Sequence, residues 1–322
     1  MSKVLCLGEL LIDFVPTENG SMLKDVGQFN KAAGGAPANV SAAIAKLGGN
    51  SNMVGKIGDD PFGDFLIETL KENGVSVDFL IKTKEAKTAL AFVSLQNNGE
   101  RDFMFYREPS ADMLLEKEDL QPQWFNDALI YHFGSISLID NPVREATIEG
   151  MKLANDQNIL ISFDPNVRLP LWKSEDDARE QILTHIPKSH IVKISEEELF
   201  FLTHNENEEE AVFSLFKEAV KLIIVTKGKD GCAYYTKQFS GEVKGIDVNA
   251  IDTTGAGDAF VGGLLYQLSD GNNTLEDVDQ ILADQQRIER ILFFANVCGA
   301  LTTTKRGAIP ALPTKNEVLS FA

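Results

Sequence analysis

Asp252-Thr253-Thr254-Gly255-Ala256-Gly257-Asp258 is the stretch on which the reading of this chain turns. The strand-like run Val248 to Ile251 precedes it and the apolar helical run Ala259 to Leu268 follows. The order is therefore strand, glycine-rich turn, helix N-terminus. Such a turn leaves backbone N–H groups unpaired at the positive end of a helix dipole, which suits a bound or developing anion. Gly255 and Gly257 let the backbone come close to a phosphate. Asp258 has two candidate roles: N-terminal cap of the helix, or proton acceptor for a hydroxyl that attacks the anion. The two glycines also begin a GxGxxG-like string. However, Phe260 occupies the third glycine position and the segment comes late in the chain, which argues against a dinucleotide fold. No Gly-Lys-Ser, Gly-Lys-Thr or protein-kinase signature occurs, so phosphoryl transfer here would use a different scaffold.

Working outward, short β-branched runs alternate with helical patterns. Val4 to Leu7, Leu129 to Phe133, Ile159 to Phe163, Ile191 to Ile194 and Leu222 to Val225 read as buried parallel strands. Val40, Ala43, Ile44 and Leu47, and later Ile288, Ile291, Leu292 and Ala295, repeat at helical spacing. The alternation predicts βαβ units and a mainly parallel sheet covered on both faces. Thr88 to Leu95 and Arg101 to Arg107 break the rhythm, flanking the hairpin signal Asn97-Asn98-Gly99-Glu100. With the segment from about Leu11 to Ala33, this hairpin is expected to form a small extra sheet, a lid. The competing arrangement is an antiparallel edge extension of the main sheet.

A second constellation, Ala33-Gly34-Gly35-Ala36-Pro37-Ala38-Asn39, leads into a small-residue helix. Paired glycines give a polar ligand access to the backbone, Pro37 can start the helix, and Asn39 offers both donor and acceptor to hydroxyls. A plain turn explains the glycines but explains Asn39 less well.

Composition narrows the classes. The chain has 322 residues, with 30 Lys and Arg against 48 Asp and Glu, for a formal charge of −18. That balance argues against nucleic acid, which needs a basic footprint. With 43% apolar and 24% charged residues, the chain reads as a globular protein. Glu9 and Asp13 interrupt the N-terminal apolar stretch, so no export signal is expected. Ile291 to Thr304 is shorter than the roughly 20 residues needed to cross a bilayer, so no membrane is expected. Cys6, Cys232 and Cys298 are odd in number and widely separated, which predicts buried thiols in a reducing, cytoplasmic setting. The acidic cluster Glu206 to Glu210 reads as a solvated loop. His132, His185, His190 and His204 lack metal-ligand spacing, Trp124 and Trp172 read as packing residues, and Glu197 and Glu198 are expected to begin a helix.

Taken together, the two glycine-bearing segments resemble the two signature regions of the ribokinase-like, or PfkB, carbohydrate kinases, and smaller motifs follow in the family's order over almost the whole chain. The segments Arg101 to Leu115 and Asp164 to Trp172 look like those of plant-type fructokinases. The resemblance implies a three-layer α/β/α core with a small β-sheet lid. The core would take residues 1–10, 36–86 and 111–322, and the lid residues 11–35 and 87–110. It further implies ATP and D-fructose as substrates, Mg²⁺ as cofactor, fructose 6-phosphate as product, and a homodimer formed through the lid.

Carried over residue by residue, Asp258 matches the catalytic base and Gly255, Ala256 and Gly257 the anion hole. Asp13, Asn39, Gly34 and Gly35 match sugar-binding positions, and Phe105, Tyr106 and Arg107 match lid residues closing over the sugar. Arg168 looks like an arginine directed at the phosphates or the substrate. Thr226, Gly228 and Gly231 match the nucleotide loop, and Asn296 lies where a helix borders the adenine. The Mg²⁺-associated Asn-x-x-Glu pattern reads Lys193-Ile194-Ser195-Glu196 here. Glu196 is retained as the metal-side group, and Lys193 is a candidate phosphate contact in place of Asn. Asp252 is the candidate for a monovalent-cation site that would take K⁺. Other acceptors the resemblance admits are 2-keto-3-deoxygluconate, whose carboxylate would suit Tyr106, Arg107 and Arg168, and ribose. A catalytically silent regulatory protein is the reading from another class.

Overall fold

The structure is a computed structural model. It describes the chain except Asn19, residues 96–100 and Ala322, and leaves out the side chains of residues 94, 95, 101–103 and 272. The hairpin signal Asn97-Asn98-Gly99-Glu100 thus lies outside the described residues.

The chain opens with β1 (Lys3–Leu7), buried along its last four residues, as expected of a strand covered on both faces. β2 (Leu11–Pro16) and β3 (Phe29–Gly34) follow, and α1 (Ala36–Lys46) carries Pro37 in its first turn. β4 (Asn50–Gly58) leads into α2 (Pro61–Glu72), which Asp60 caps by accepting from the N–H groups of Phe62 and Gly63 at 3.0 Å. Next come β5 (Ser76–Thr83), β6 (Ala89–Leu95), β7 (Arg101–Tyr106), β8 (Ala128–Gly134), α3 (Val143–Asp156), β9 (Leu160–Asp164) and α4 (Glu175–His185). β10 (Ile191–Ser195) runs straight into α5 (Glu196–Thr203) through a reciprocal capping box of Ser195 and Glu198. The chain continues with α6 (Glu208–Leu215), β11 (Leu222–Thr226), β12 (Gly231–Thr236), β13 (Ser240–Lys244), α7 (Ala256–Ser269), α8 (Leu275–Leu282), α9 (Gln285–Thr302) and α10 (Lys315–Leu319).

Among the described residues, nine strands form the main sheet in the order β13-β12-β11-β10-β9-β8-β1-β4-β5. All its pairings are parallel except those of β12 with its two neighbours. Side-chain alternation divides the core. Val4 and Cys6 join one cluster with α1, α7 and α9, while Leu5 and Leu7 join another with α3, α4, α5 and α6. This is the predicted three-layer architecture. The second sheet, β3-β2-β6-β7, is separate, so the hairpin strands form a lid and not an edge extension of the main sheet. Its centre is the parallel pair β2–β6, Leu11 facing Ala89 and Asp13 facing Ala91.

Two expectations fail locally. The run Val248 to Ile251 is not a strand, because the backbone from 245 to 255 is irregular. At its end the chain bonds away from any sheet: Ile251 N and the following Asp252 N both donate to Thr303 O, at 2.7 and 3.1 Å. The acidic cluster is not a loop throughout. Glu208, Glu209 and Glu210 form the first turn of α6, where the Asn207 side chain caps Glu210 N at 3.1 Å and negative charge suits the dipole.

Candidate active site

The carboxyl ends of the parallel strands, where open α/β sheets bind ligands, collect Glu9 after β1, Asp164 on β9, Lys193 and Ser195 on β10, and Thr226 on β11. Over this edge lies the start of α7. Gly255 holds the N-cap position at φ 76°, and a Cβ there would fall 2.8 Å from the Ala308 Cβ, so the tight turn requires glycine. The N–H groups of Gly257 and Asp258 lie in the first helical turn, outside the intrahelical ladder.

Asp258 is the third residue of α7, and no side chain caps that helix. Of its two candidate roles the cap is thereby removed. Its Oδ2 accepts from Asn39 Nδ2 at 2.8 Å, joining the first turns of α1 and α7, whose helices pack together. Asn39 Oδ1 is buried without a partner among the described residues, which leaves an acceptor at the same place.

Around these groups is a cavity of about 220 Å³, below the roughly 300–1,000 Å³ of drug-sized pockets and suited to a small polar molecule. The lid contributes Asp13 and Phe105, and the core contributes Glu9, Asn39, Arg168, Lys193 and Asp258. Gly34 admits the lid carboxylate, since a Cβ there would lie 2.0 Å from Asp13 Oδ2. Six sequence-expected groups, Asp13, Gly35, Asn39, Phe105, Arg168 and Lys193, thus meet Asp258 and the turn in one chamber.

Its electrostatics are those of crowded carboxylates. Burial pushes the Asp258 carboxyl up to about 6, with Asp164 adding to the rise and Asn39, Arg168 and Lys193 opposing it. Burial lifts Asp13 to about 7, against the pull of Arg168 and with a push from Asp258. Arg168 is the shared counter-charge. Its guanidinium makes one hydrogen bond among the described residues, to Val167 O at 3.4 Å.

Of the residues expected to border a nucleotide, Thr226 ends β11 and its Oγ1 donates to Ile194 O at 3.3 Å. Gly228 (φ 55°) and Gly231 (φ 103°) form the turn into β12. Glu196 stands exposed at the start of α5. Among the described residues no group of three His, Cys, Asp or Glu could hold a metal. Glu196 offers a single exposed carboxylate, and one carboxylate with substrate phosphates and water is a set that Mg²⁺ accepts. The neighbouring Glu198 is fully engaged, accepting from Val167 N at 2.7 Å and Ser195 N at 2.8 Å. Asp252 accepts from Thr254 N, Thr254 Oγ1 and Gly307 N, tying the glycine turn to the loop after α9. Asn296 donates to the carbonyls of Val243 and Lys244 at 3.1 and 3.2 Å, bracing α9 against β13.

Two lid residues are not where the motif put them. In a strand, successive side chains face opposite sides. Phe105 faces the cavity, while Tyr106 is 55% exposed beside Met22, Phe29, Phe92 and Met104 on the outer side. Arg107 is buried and spent: its Nε and Nη2 both reach Asp112 Oδ2 at 2.7 Å. Three residues escaped the sequence reading. Asp112 receives Arg107 and the Ser110 hydroxyl. Asp164 holds Lys193. Glu9 lines the cavity, accepts from Ala36 N at 2.9 Å, and is pushed by burial up to about 7. The Arg107-x-x-x-x-Asp112 spacing was a readable signal for the first. The other two meet their partners only in the fold. The three cysteines are buried and free, as expected. His132 and His190 are structural, bonded to Ser162 Oγ and Ile161 N. No helix among the described residues is long and apolar enough to cross a membrane.

Comparison with known proteins gives a family match. The model of the pfkB family carbohydrate kinases matches residues 1–315. Among curated proteins, "Probable fructokinase-6, chloroplastic" of Arabidopsis thaliana is 53% identical over 317 residues, 98% of this chain and 81% of that protein. Among solved structures, a fructokinase with bound ATP from Xylella fastidiosa superposes with a TM-score of 0.92 at 39% identity, covering 99% of this chain and 97% of the other. A fructokinase from Vibrio cholerae O395, solved with fructose, ADP and calcium ion, superposes at 0.87 and 35% identity, covering 100% and 99%.

Proposed function

The chain belongs to the pfkB family of carbohydrate kinases, and within it we propose an ATP-dependent fructokinase that transfers the ATP γ-phosphoryl group to the 6-hydroxyl of D-fructose. The observation that carries the reading is the 2.8 Å bond from Asn39 to Asp258, which fixes a carboxylate at a glycine-rich helix N-terminus in a small polar chamber. The named fructokinases among its relatives, two of them solved with ATP or with fructose and ADP, support the acceptor and donor.

The sugar binds under the lid of residues 11–35 and 87–110, with Asp13, Asn39 and the Gly34-Gly35 backbone on its hydroxyls. Asp258 takes the proton of the 6-hydroxyl as that oxygen bonds to the γ-phosphorus. The bond from phosphorus to the β–γ bridging oxygen breaks, and ADP leaves. A placed base contributes on the order of 10²–10⁴ in rate. The turn from Gly255 to Gly257 stabilises the charge in flight, each donor contributing on the order of 10²–10³. Mg²⁺, when bound at Glu196, neutralises phosphate charge. In a chain of charge −18, Arg168 and the helix N-terminus supply the local positive field that receives ATP. Thr226, Gly228 and Gly231 border the nucleotide, Asn296 lies on its adenine side, and Asp252 takes a monovalent cation such as K⁺.

A sugar-acid acceptor is disfavoured. Tyr106 faces outward and Arg107 is bound to Asp112, so two of the three groups suited to a carboxylate are absent from the chamber. The exposed apolar residues Met22, Met104 and Tyr106 on the outer lid face support a homodimer through the lid, and three free thiols support a reducing, cytoplasmic setting. The test is coupled ADP release with Mg-ATP and fructose, glucose, ribose, adenosine or 2-keto-3-deoxygluconate, alongside Asp258→Asn. Turnover with fructose alone, lost in the variant, is expected. Preference for another acceptor overturns the substrate, and silence with all overturns the activity.

A further inference from the structure

Lys193 stands where the family's metal-associated motif commonly carries Asn, and its surroundings are unusual for a lysine. The residue is 8% exposed, yet it lines the chamber that holds Asp258 and the glycine turn. Its Nζ lies 3.2 and 3.3 Å from the two oxygens of Asp164, and a Cβ built on Gly257 would come within 3.3 Å of it. Both Asp164 distances exceed the roughly 2.7–2.9 Å of a tight charge-assisted bond. An ammonium has three donors, and Asp164 occupies at most two of them, leaving one for the chamber. Burial alone would push this ammonium down, but Asp164, Glu198 and Asp258 together hold it above the ordinary lysine value, so it is a cation in the resting site.

Resting on the fructokinase reading above, we propose that Lys193 is a catalytic residue of the transfer step, its ammonium contacting the γ-phosphoryl oxygens as the group passes from ADP to the acceptor. The argument is positional. The phosphoryl group must lie between the N–H groups of Gly255 to Gly257 and the hydroxyl oriented by Asp258, and Lys193 Nζ borders both. The transition state spreads charge over three equatorial oxygens, which a fixed cation stabilises more than it stabilises the ground state. Asp164 is the positioning residue: from the end of β9 it anchors the ammonium without closing it in. A lysine kept solely to neutralise Asp164 would gain nothing from facing the chamber, and a buried pair kept for stability alone can be replaced by apolar residues at little cost.

The test combines kinetics with transition-state-analogue binding. In Lys193→Met we expect kcat to fall by about 10²–10³ while KM for fructose and the affinity for ADP stay within about threefold. ADP with aluminium fluoride and fructose, a mimic of the group in flight, should lose affinity by about the same factor as kcat. Lys193→Arg should recover at least about tenfold of the loss. Lys193→Met leaves Asp164 buried and unpaired, so the double variant K193M/D164N repeats the measurement without that burden and should remain as slow. A kcat within threefold of the parent in either variant, or analogue affinity unchanged while ADP affinity collapses, overturns the assignment. If the parent itself shows no fructose-dependent ADP release, the fructokinase reading fails first and carries this inference with it.

Discussion

Asp258→Asn separates chemistry from architecture because the two are expected to move in opposite directions. The substitution keeps the shape of the side chain, and the Asn oxygen can still accept from Asn39 Nδ2, which now lies 2.8 Å from the carboxylate. What is lost is the proton acceptor. A loss of about 10³–10⁴ in kcat, or about 4–5 kcal/mol at 1.36 kcal/mol per decade, is expected. Stability should not follow. The rise of this carboxyl from 3.8 to about 6 corresponds to a penalty of about 3 kcal/mol on its charged form. A group whose folded-state value is raised contributes its stability fully below the unfolded value, near pH 3.8, and loses it as pH climbs through about 6. The parent therefore carries the penalty at pH 8 and sheds it on acidification, while the Asn variant never carries it. ADP release should be followed at saturating fructose and Mg-ATP at pH 8, and thermal unfolding from pH 4.5 to 8. The variant should unfold no lower than the parent at pH 8, and its advantage should shrink below pH 6. Turnover within tenfold of the parent refutes the base assignment. A lost activity accompanied by a lower unfolding temperature at pH 8 shows instead that the carboxylate holds the helices together.

The remaining predictions test the chamber wall by wall. Gly34→Ala puts a methyl 2.0 Å from Asp13 Oδ2, so steady-state kinetics should show KM for fructose rising about tenfold or more, or about 1.4 kcal/mol, with KM for ATP nearly unchanged. Because Asp258 must be ionised to act, kcat/KM for the parent should rise with pH through about 6; Arg168→Met removes a charge that lowers the Asp258 value, so this limb of the pH–rate profile should move to higher pH and the plateau should fall. Asp112→Ala leaves the Arg107 guanidinium buried and unpaired, which should cost about 3–5 kcal/mol in urea unfolding.

Much of the frame was legible because it rests on local physics. The five strands read from β-branched runs all lie in the main sheet, and the glycine-rich turn does begin a helix. Those features need only periodicity, caps and φ-permissive residues. Val248 to Ile251 misled because an apolar run carries no record of whether a sheet edge waits for it; here Thr303 O takes the amide of its last residue, Ile251, and that of Asp252 after it. The acidic run from Glu206 misled for the opposite reason, since charge alone suggested solvent while Asn207 was supplying a helix cap. The partners of Glu9 and Lys193 lie 27 and 29 residues away, at Ala36 and Asp164, so strand order brings them together and local pattern has no access to it.

The lid shows most clearly how a correct motif can be misassigned in detail. Phe105-Tyr106-Arg107 was read as a block closing over the sugar, but a strand presents alternate residues to opposite faces. Phe105 and Arg107 could share the inner side only by leaving Tyr106 outside. Arg107 then met Asp112, five residues on and 3% exposed. A buried pair of that kind, with two guanidinium nitrogens on one carboxylate oxygen, holds its geometry and offers little to a passing ligand. That leaves Arg168 as the arginine available to the chamber, and it faces both Asp13 and Asp258. The proposed preference for a neutral sugar over a sugar acid rests on this placement: of Tyr106, Arg107 and Arg168, the three groups suited to a sugar carboxylate, Arg168 alone lines the chamber, and Asp13 and Asp258 already share it.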